Sequence, residues 1–346
     1  MRQELISLAQ EARWRSALLG IPHGFAHTWD NCRAFSASHG SSVFLYSYTD
    51  ATSRVVCPIM ERRFGSRSDI ATPFGFSGFV GVGAAADFGS SWFDYAREKK
   101  WVCGYIGLHP LFSRPELFQP VELNVQNETF WLNLQQEEAI LYSNLSRCRK
   151  RQMKSWDKRV GSWLCTDMDR LKPFIVENHA AFFENIGASQ AYRFEDETWK
   201  LLLEAPNALI IGATVAGEVV AATIFCYSSY AADALFNISI PEGRDVATSL
   251  MWEGVRRLRD LGVPALNMGG GVRPGDTVAQ SKLRFGATVR PLSCLKQIYD
   301  PPAFVELCQS VGVHPEDLSG YFPPYRRQSA AMQPTNSTSS KQSVMD

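Results

Sequence analysis

The order of strand and helix patterns in the first third of the chain recurs about 160 residues later, which points to a duplicated unit. Runs rich in β-branched and aromatic residues predict strands over 43–48, 54–60, 69–74 and 102–108, with an amphipathic helix over 87–99. The second set has strands over 208–215, 219–227, 231–240 and 264–268, with a helix over 245–261. This repeated order of hairpin, strand, helix and strand favours a mixed α/β architecture built twice.

We therefore expect an α/β fold of the α+β kind with mixed sheets, in which a long central helix links two tandem units. The predicted division is a first unit over 1–135, a basic central helix over 136–160 and a second unit over 161–327. The segment 328–346 is rich in Ser, Thr and Gln and lacks aromatic residues, so we expect it to be disordered. A chain of 346 residues has room for both units.

Net charge and cysteine usage exclude several classes of protein. The formal net charge is zero, so any polyanionic partner must meet a local basic patch. The eight cysteines contain no C-x-x-C pair, which argues against a zinc site or a disulfide framework and suits a reducing cytoplasm. Residues 1–20 lack the apolar core of a signal peptide, and glycines and Glu218 interrupt the apolar run 209–236. We expect a soluble, cytoplasmic protein.

The predicted central helix carries a dense basic cluster, within which Asp157 is the single acid. Leu141, Leu145, Met153 and Trp156 have the spacing of a buried stripe on such a helix. A basic cluster of this kind is usually a solvated surface, but in a chain without net charge it also fits contact with phosphate groups. The candidate RNA- or phosphate-binding residues are Arg147, Arg149, Lys150, Arg151 and Lys154.

A glycine-rich turn follows the predicted strand 264–268. Gly269, Gly270 and Gly271 stand together there, and Asp276 can begin the next helix. Glycines let the backbone approach a ligand closely, and free N–H groups at such a turn suit an anion or a developing oxyanion. A turn with packing glycines is the simpler interpretation, but Lys282 and Arg284 in the following segment favour a site.

Several other kinds of site have no support in the sequence. The glycine spacing does not match the P-loop pattern, which argues against nucleotide triphosphate hydrolysis. His23 and His27 stand four residues apart without a third ligand nearby, so we expect no metal site. The chain has no G-x-S-x-G elbow and no cysteine with a neighbouring histidine, which leaves a hydrolase triad unsupported.

Four segments together resemble the FemAB-like peptidyltransferases, which belong to the wider GNAT acyltransferase superfamily. These segments are His27–Arg33, Thr72–Gly78, Leu145–Lys154 and Met268–Gly286. Their order and spacing match the family over most of residues 25–290. The resemblance implies two GNAT-like domains packed together and transfer of an acyl or aminoacyl group to an amine.

The resemblance also implies roles for single residues. Lys282, in a Lys-x-x-Phe motif, resembles the family's lysine near the tRNA end and the reacting centre, where it would stabilise the tetrahedral oxyanion. By position, Arg33 and Arg193 resemble cations that hold a phosphorylated acceptor. Asp276 would either orient the acceptor amine or cap the next helix, and we prefer the cap. Gly269, Gly270, Gly271 and Arg284 complete the expected substrate-binding set.

The chain departs from the family pattern at positions that bear on the substrates. Pro73–Phe79 stands where bridge-building members carry Pro-Arg-Gly-Pro and an acid, which disfavours a peptidoglycan precursor as acceptor. Ser281 stands where the family has an aromatic residue before the lysine. The segment 240–247, with Glu242 and Asp245, does not match the pyrophosphate loop of acetyl-CoA enzymes. These departures favour aminoacyl-tRNA as the donor.

The leading hypothesis is a cytoplasmic aminoacyltransferase that joins an amino acid from aminoacyl-tRNA to an amine of a small molecule or peptide. It implies no cofactor, no metal and no membrane insertion. One alternative is an N-acyltransferase that depends on acyl-CoA. A second alternative, from another functional class, is a non-catalytic RNA-binding protein that kept the fold.

Overall fold

The computed structural model describes residues 1–38, 40–187, 192–271, 273 and 275–327. Its strands are β1 (Arg2–Ser7), β2 (Ser42–Thr49), β3 (Arg54–Phe64), β4 (Arg67–Ala71), β5 (Val80–Val82), β6 (Trp101–Gly107), β7 (Leu123–Asn133), β8 (Leu164–Cys165), β9 (Ala208–Val215), β10 (Glu218–Tyr227), β11 (Ala232–Ser239), β12 (Ala265–Gly270) and β13 (Thr288–Ile298). Its α-helices are α1 (Glu11–Leu18), α2 (Trp29–Ser36), α3 (Phe88–Glu98), α4 (Glu138–Asn144), α5 (Arg147–Asp157), α6 (Val160–Trp163), α7 (Met168–Asn185), α8 (Asp196–Leu203), α9 (Arg244–Asp260), α10 (Thr277–Leu283) and α11 (Pro301–Ser310). The segment predicted to be disordered, 328–346, lies outside the described residues.

The strands form one continuous mixed sheet. Their spatial order is β1-β2-β3-β4-β6-β13-β7-β12-β11-β10-β9-β8, and β5 pairs with β3 beside this path. The last strand, β13, lies in the middle of the sheet, where it is antiparallel to both β6 and β7. The sheet is therefore joined at its centre by strands that come from distant parts of the chain.

The structure confirms the duplicated order of elements. In the first copy β2, β3 and β4 are successively antiparallel, and α3 leads to β6, which runs parallel to β4. In the second copy β9, β10 and β11 are successively antiparallel, and α9 leads to β12, parallel to β11. A parallel pair requires such a crossover, so the helix of each copy has the same topological role. The limits predicted for the two domains stay a prediction.

Apolar side chains cover both faces of the second copy. One core packs α5 and α9 on the sheet, with Met153, Trp156 and Leu250 fully buried. The other packs α7 and α8 on the opposite face. Because both faces are covered, its strands read as nearly continuous apolar runs. The stripe predicted on the central helix, including Leu141 and Leu145, is buried as expected.

The single helix predicted over 136–160 is wrong in its continuity, because this segment forms α4, α5 and the short α6. The first break comes at Leu145 and Ser146, which both have extended backbone angles. The Ser146 hydroxyl accepts a bond from the Arg149 N–H and so caps a new helix, an arrangement that competes with helix continuation. The Ser146 N–H bonds instead to the carbonyl of Arg284, at the end of α10.

The two copies also meet through side chains from α2 and α8. The Thr198 hydroxyl donates to the carbonyl of Ala34 at 2.8 Å. Phe35 of α2 contacts Phe194 with ring centroids 4.9 Å apart. These contacts fix the first copy against the face of the second copy, where the site described below opens.

Two buried histidines lie together in the first copy. The rings of His27 and His109 have centroids 6.0 Å apart, and neither Nε2 atom has a hydrogen-bond partner among the described residues. Burial lowers the pKa of His109 to about 3 and, together with the neighbouring His109, lowers the pKa of His27 well below its usual value. Both rings are therefore neutral in the folded chain at physiological pH.

We expect the free energy of unfolding to fall as the pH drops below about 6.5, because the unfolded chain then protonates imidazoles that the folded chain keeps neutral. Each ring contributes a loss approaching about 1.4 kcal/mol per pH unit well below that value. Urea unfolding between pH 7.5 and 4.5 measures the slope. His109→Gln should flatten it, whereas the same change at the exposed His314 should not. A slope unchanged by His109→Gln would contradict this account.

Candidate functional site

The site begins where two parallel strands of the second copy stop pairing. The register of β11 and β12 contains only Ala232 with Leu266 and Asp233 with Asn267. Strand β11 continues to Ser239 and β12 to Gly270 without further pairs between them. The strands thus leave a gap in the sheet, and two cavities open at it.

The first cavity, which we call the lysine cavity, has a volume of about 400 Å³ and lies between β11, α9, β12 and α10. Its walls combine apolar residues with a few hydroxyl and amide groups and one cation. The lining residues are Ala234, Asn237, Ala247, Thr248, Met251, Met268, Thr277, Val278, Ser281, Lys282 and Phe285. None of these described residues is a carboxylate and one is a cation, so the cavity favours a ligand that is neutral or anionic.

Lys282 reaches from α10 to the end of β12. Its Nζ donates a hydrogen bond to the carbonyl of Gly270 at 2.5 Å and lies 6.0 Å from the centre of the Phe130 ring. Burial lowers the pKa of Lys282 to about 8, and the negative charge of Asp276 opposes that shift. At neutral pH the group is mostly an ammonium, but it gives up a proton far more readily than an ordinary lysine.

Other atoms of the protein lie so close to Gly269, Gly270 and Gly271 that there is little room for a side chain at these positions. Gly269 has φ +76°, and a Cβ there would stand 3.2 Å from the Lys282 Nζ. A Cβ on Gly270 would meet the carbonyl oxygen of Glu128 at 2.7 Å, and one on Gly271 would meet the Asp276 carboxylate at 2.7 Å. A larger residue at Gly269 would therefore crowd the lysine, and one at Gly270 or Gly271 would displace the backbone of Glu128 or the carboxylate of Asp276. Val272 and Pro274 of the same turn lie outside the described residues.

Asp276 is the N-cap residue of α10. Its carboxylate accepts hydrogen bonds from the N–H groups of Ala279 at 2.8 Å and Arg273 at 2.9 Å. This is the preferred one of the two roles expected from the sequence. The same carboxylate acts on Lys282 through its charge, because it raises the pKa of the lysine.

The second cavity, which we call the junction cavity, lies between the two copies and has a volume of about 180 Å³. The N-terminal copy supplies aromatic and small residues, and the second copy supplies the ends of β11 and β12. The lining residues are Phe25, Ala26, Asn31, Phe74, Gly75, Phe76, Tyr192, Asp233, Ala234, Leu235, Asn267, Gly269 and Gly270. Gly269 and Gly270 thus stand between this cavity and Lys282, which lines the other one, and Ala234 lines both cavities.

Asp233 is a site residue that the sequence analysis missed. Burial raises the pKa of its carboxyl to about 6, against a hydrogen bond from the Asn267 Nδ2 at 2.9 Å. The Oδ1 of Asn267 accepts from the N–H of Gly269, also at 2.9 Å. The signal was present, because Asp233 is the one ionisable residue in the strand 231–240.

Arg149 was expected to contact phosphate with its neighbours, but it points inward. Its guanidinium donates to the Thr248 hydroxyl at 3.0 Å and to the Ser281 hydroxyl at 2.6 Å, and both of these residues line the lysine cavity. It also lies 5.1 Å from the centre of the Phe285 ring. Burial lowers its pKa, and no carboxylate of the described residues forms an ion pair with it. Arg149 thus places positive charge behind the cavity wall.

The opposite face of α5 forms an exposed basic stripe, which consists of Arg147, Arg151 and Lys154. These residues are spaced at i, i+4 and i+7, so their side chains share one face. None of the three forms an ion pair within the described part of the chain, whereas Asp157 pairs with Arg256 at 2.8 Å. Lys150, expected in the same set, donates to the carbonyl of Ser143 at 2.7 Å.

The other expected substrate-binding cations lie outside both cavities. Arg33 is exposed on α2, with its guanidinium 5.0 Å from the centre of the Trp29 ring. Arg193 lines a separate cavity of about 360 Å³ that also contains His179 and Tyr192. Arg284 is exposed at the end of α10, beside the start of α5. Their proposed contacts with substrate remain predictions.

Two further properties concern only the residues that the structure describes. Nowhere in 1–38, 40–187, 192–271, 273 and 275–327 do three or more His, Cys, Asp or Glu side chains group so as to hold a metal ion. No helix within those ranges has the length and apolarity needed to cross a membrane. All eight cysteines are free thiols, and Cys148 alone is exposed.

We expect labelling of Lys282 by a water-soluble acylating reagent to rise with a midpoint near pH 8, against about 10.4 for model lysine peptides. Asp276→Asn should move the midpoint lower, because it removes a charge that favours the ammonium and keeps a residue able to cap α10. Pulse labelling and mass spectrometry of the Lys282 peptide give both curves. A wild-type midpoint of 10 or above would show that burial does not act on this amine.

Comparison with known proteins finds solved structures of the same fold but no similar sequence. No protein-family model matches the chain, and no curated protein sequence is significantly similar to it. Among solved structures, FemX matches with a TM-score of 0.63 at 10% identity, covering 88% of this chain and 99% of FemX. A conserved protein of unknown function from Bacteroides thetaiotaomicron matches with a TM-score of 0.59 at 10% identity, covering 86% and 99% of the two chains.

A third structure is the C-terminal domain of a protein assigned as a lysylphosphatidylglycerol synthetase from Agrobacterium fabrum. It matches with a TM-score of 0.54 at 12% identity, covering 88% of this chain and 96% of that domain. Identities this low concern the arrangement of the backbone alone. The chain therefore has the fold of FemX, which confirms the expected mixed α/β architecture.

Proposed function

We propose that this protein is an acyltransferase that forms an amide bond between an amino acid carried by tRNA and the amine of a small acceptor. The observation that carries the proposal is the placement of Asp233 and Lys282 on opposite sides of Gly269 and Gly270. A carboxylate with a raised pKa faces one cavity, and an amine with a lowered pKa faces the other. In such a pair the carboxylate can take a proton from one substrate, and the ammonium can stabilise negative charge on the other.

The chemistry assigns one substrate to each cavity. The donor's ester carbonyl lies in the lysine cavity, and the acceptor amine attacks it from the junction cavity. As the C–N bond forms, Asp233 takes a proton from the attacking nitrogen, and Lys282 stabilises the negative charge on the carbonyl oxygen. The C–O bond to the tRNA ribose then breaks, and the departing oxygen takes a proton from Lys282. Solvent returns a proton to the lysine and removes one from the carboxyl.

The position of α5 supports tRNA as the donor. Its exposed face carries the basic stripe Arg147, Arg151 and Lys154, which forms no ion pair with the described residues, while Arg149 on its buried face bonds to residues that line the lysine cavity. A nucleic acid on the stripe would therefore have the cavity on the other side of the same helix. Phosphate contacts with such cations dominate the affinity of proteins for nucleic acids.

Two further observations favour this donor over acyl-CoA. The start of α9 follows Glu242 and includes Asp245, and negative charge at that helix end repels a pyrophosphate. In addition, the name of the Agrobacterium protein denotes a product that contains an aminoacyl group. The proposed reaction uses no cofactor, and it belongs in the cytoplasm, where charged tRNA is available.

We expect the protein to form amides from charged tRNA and primary amines, as measured by mass spectrometry, and ribonuclease treatment of the donor to abolish the product. Replacing the stripe with Glu at Arg147, Arg151 and Lys154 should raise the KM for charged tRNA at least about tenfold, because three phosphate contacts are lost. The matched control carries the same charge change on other exposed lysines, Lys99, Lys100 and Lys200. Product that survives ribonuclease, or thermal stabilisation by acetyl-CoA alone, would favour the acyl-CoA alternative.

The profile of kcat/KM against pH should be bell-shaped, with limbs near pH 6 and pH 8. The acid limb reflects Asp233, which must be ionised to accept a proton, and the basic limb reflects Lys282, which must keep its proton. Asp233→Asn should remove the acid limb, and Lys282→Ala should lower kcat by roughly a hundredfold to a thousandfold. Lys200→Ala is the control. Full cellular function in the Lys282→Ala variant would instead indicate a non-catalytic RNA-binding protein.

A further inference from the structure

The junction cavity indicates which class of acceptor the proposed reaction uses. We infer that the acceptor presents a primary ammonium group on a small apolar body, with no phosphate or carboxylate close to the amine. The inference rests on the proposed function for its role in transfer, but the binding preference itself belongs to the cavity. Charge, wall chemistry and volume each support it.

The charge of the cavity selects a cation. Among the described residues that line it, Asp233 is the only side chain that carries a charge at neutral pH, and none is a lysine, arginine or histidine. An ammonium group would pair with this carboxylate and would lose one proton to solvent before it attacks as the free amine, whereas a phosphate or a second carboxylate would face Asp233 without a counter-ion. The sequence suggested that Arg33 and Arg193 hold a phosphorylated acceptor, but Arg33 stacks on Trp29 and Arg193 lines another cavity.

The part of the wall that the first copy supplies is aromatic and firmly held. Phe74 and Phe76 flank Gly75, which has φ +103° and approaches Ala26 so closely that a Cβ would stand 2.8 Å from the alanine methyl carbon. The side-chain amide of Asn31 donates to the carbonyl of Phe74 at 3.1 Å and fixes the loop to α2. A preformed aromatic wall recognises an apolar body and also accommodates a cation over its faces.

The volume limits the buried part of the acceptor. A cavity of about 150 Å³ holds a benzene ring in another protein, so about 180 Å³ accommodates a ring of that size with a short aminoalkyl arm. An amine at the end of such an arm can reach Asp233 while the ring contacts Phe74. This geometry makes 2-phenylethylamine a suitable probe.

The test is isothermal titration calorimetry, in which matched small ligands are titrated into the full chain without tRNA. We expect 2-phenylethylamine to bind at least tenfold more tightly than 2-phenylethanol, which lacks the ammonium, and than phenylalanine and O-phosphoethanolamine, which add an anion. Asp233→Asn, which keeps the size of the side chain, should weaken binding of the amine at least tenfold, whereas Asp245→Asn should leave it unchanged. Phe74→Ala should also weaken it, with Phe93→Ala as the aromatic control and circular dichroism as the check on folding.

Transfer assays with charged tRNA separate the two proposals. Selective binding of 2-phenylethylamine without transfer to any amine would overturn the proposed function and leave the cation preference of the cavity established. Transfer to a phosphorylated or carboxylated amine, combined with tighter binding of that amine than of 2-phenylethylamine, would overturn the inference on the acceptor and keep the proposed function. Binding of 2-phenylethylamine that Asp233→Asn does not change would also overturn the inference.

Discussion

The early end of pairing between β11 and β12 is the constraint on which the site depends. Two parallel strands that hydrogen-bonded along their full lengths would close the sheet and leave no passage between its faces. Pairing instead stops at Asp233 and Asn267, and the Asn267 side chain takes over, since it bonds to the carboxylate of Asp233 and to the N–H of Gly269. The gap thus begins at a side-chain hydrogen bond between the two strands, and it brings a buried acid and a buried amine to neighbouring cavities.

The first copy has the same topology, but its two parallel strands stay in contact and leave no such gap. Strands β4 and β6 pair through Ala71 and Tyr105, and the contact continues where Thr72 donates to the Tyr105 carbonyl and accepts from the Gly107 N–H. Within β4 the buried carboxylate of Asp69 is neutralised by two arginines, Arg62 and Arg326, so it has no capacity left for a substrate. The first copy therefore contributes an aromatic wall, and the ionisable groups of the proposed reaction come from the second copy.

The sequence was sufficient for the order of elements in both copies and for the lysine side of the candidate site. Periodicity located the strands and helices of both copies, and the glycines followed by Lys282 marked the turn where the lysine meets the backbone. It could not show that Ser146 would cap a new helix, because a serine inside a helical pattern is compatible with either outcome until its N–H finds the Arg284 carbonyl. The sequence also could not show that Asp233 is buried in the site or that the Arg149 side chain points inward. Both properties depend on residues from distant segments that surround these side chains in the folded chain.

The central position of β13 has a consequence for synthesis on the ribosome. The strand that lies between β6 and β7 is translated after every other strand of the sheet, so the edge of β6 stays unpaired while the remaining strands are made. An unpaired edge is a site for association with other chains, which makes the nascent protein dependent on rapid arrival of its last strand or on protection by chaperones. Loss of the residues after 287 would separate the two copies at the centre of the sheet, three strands away from Asp233.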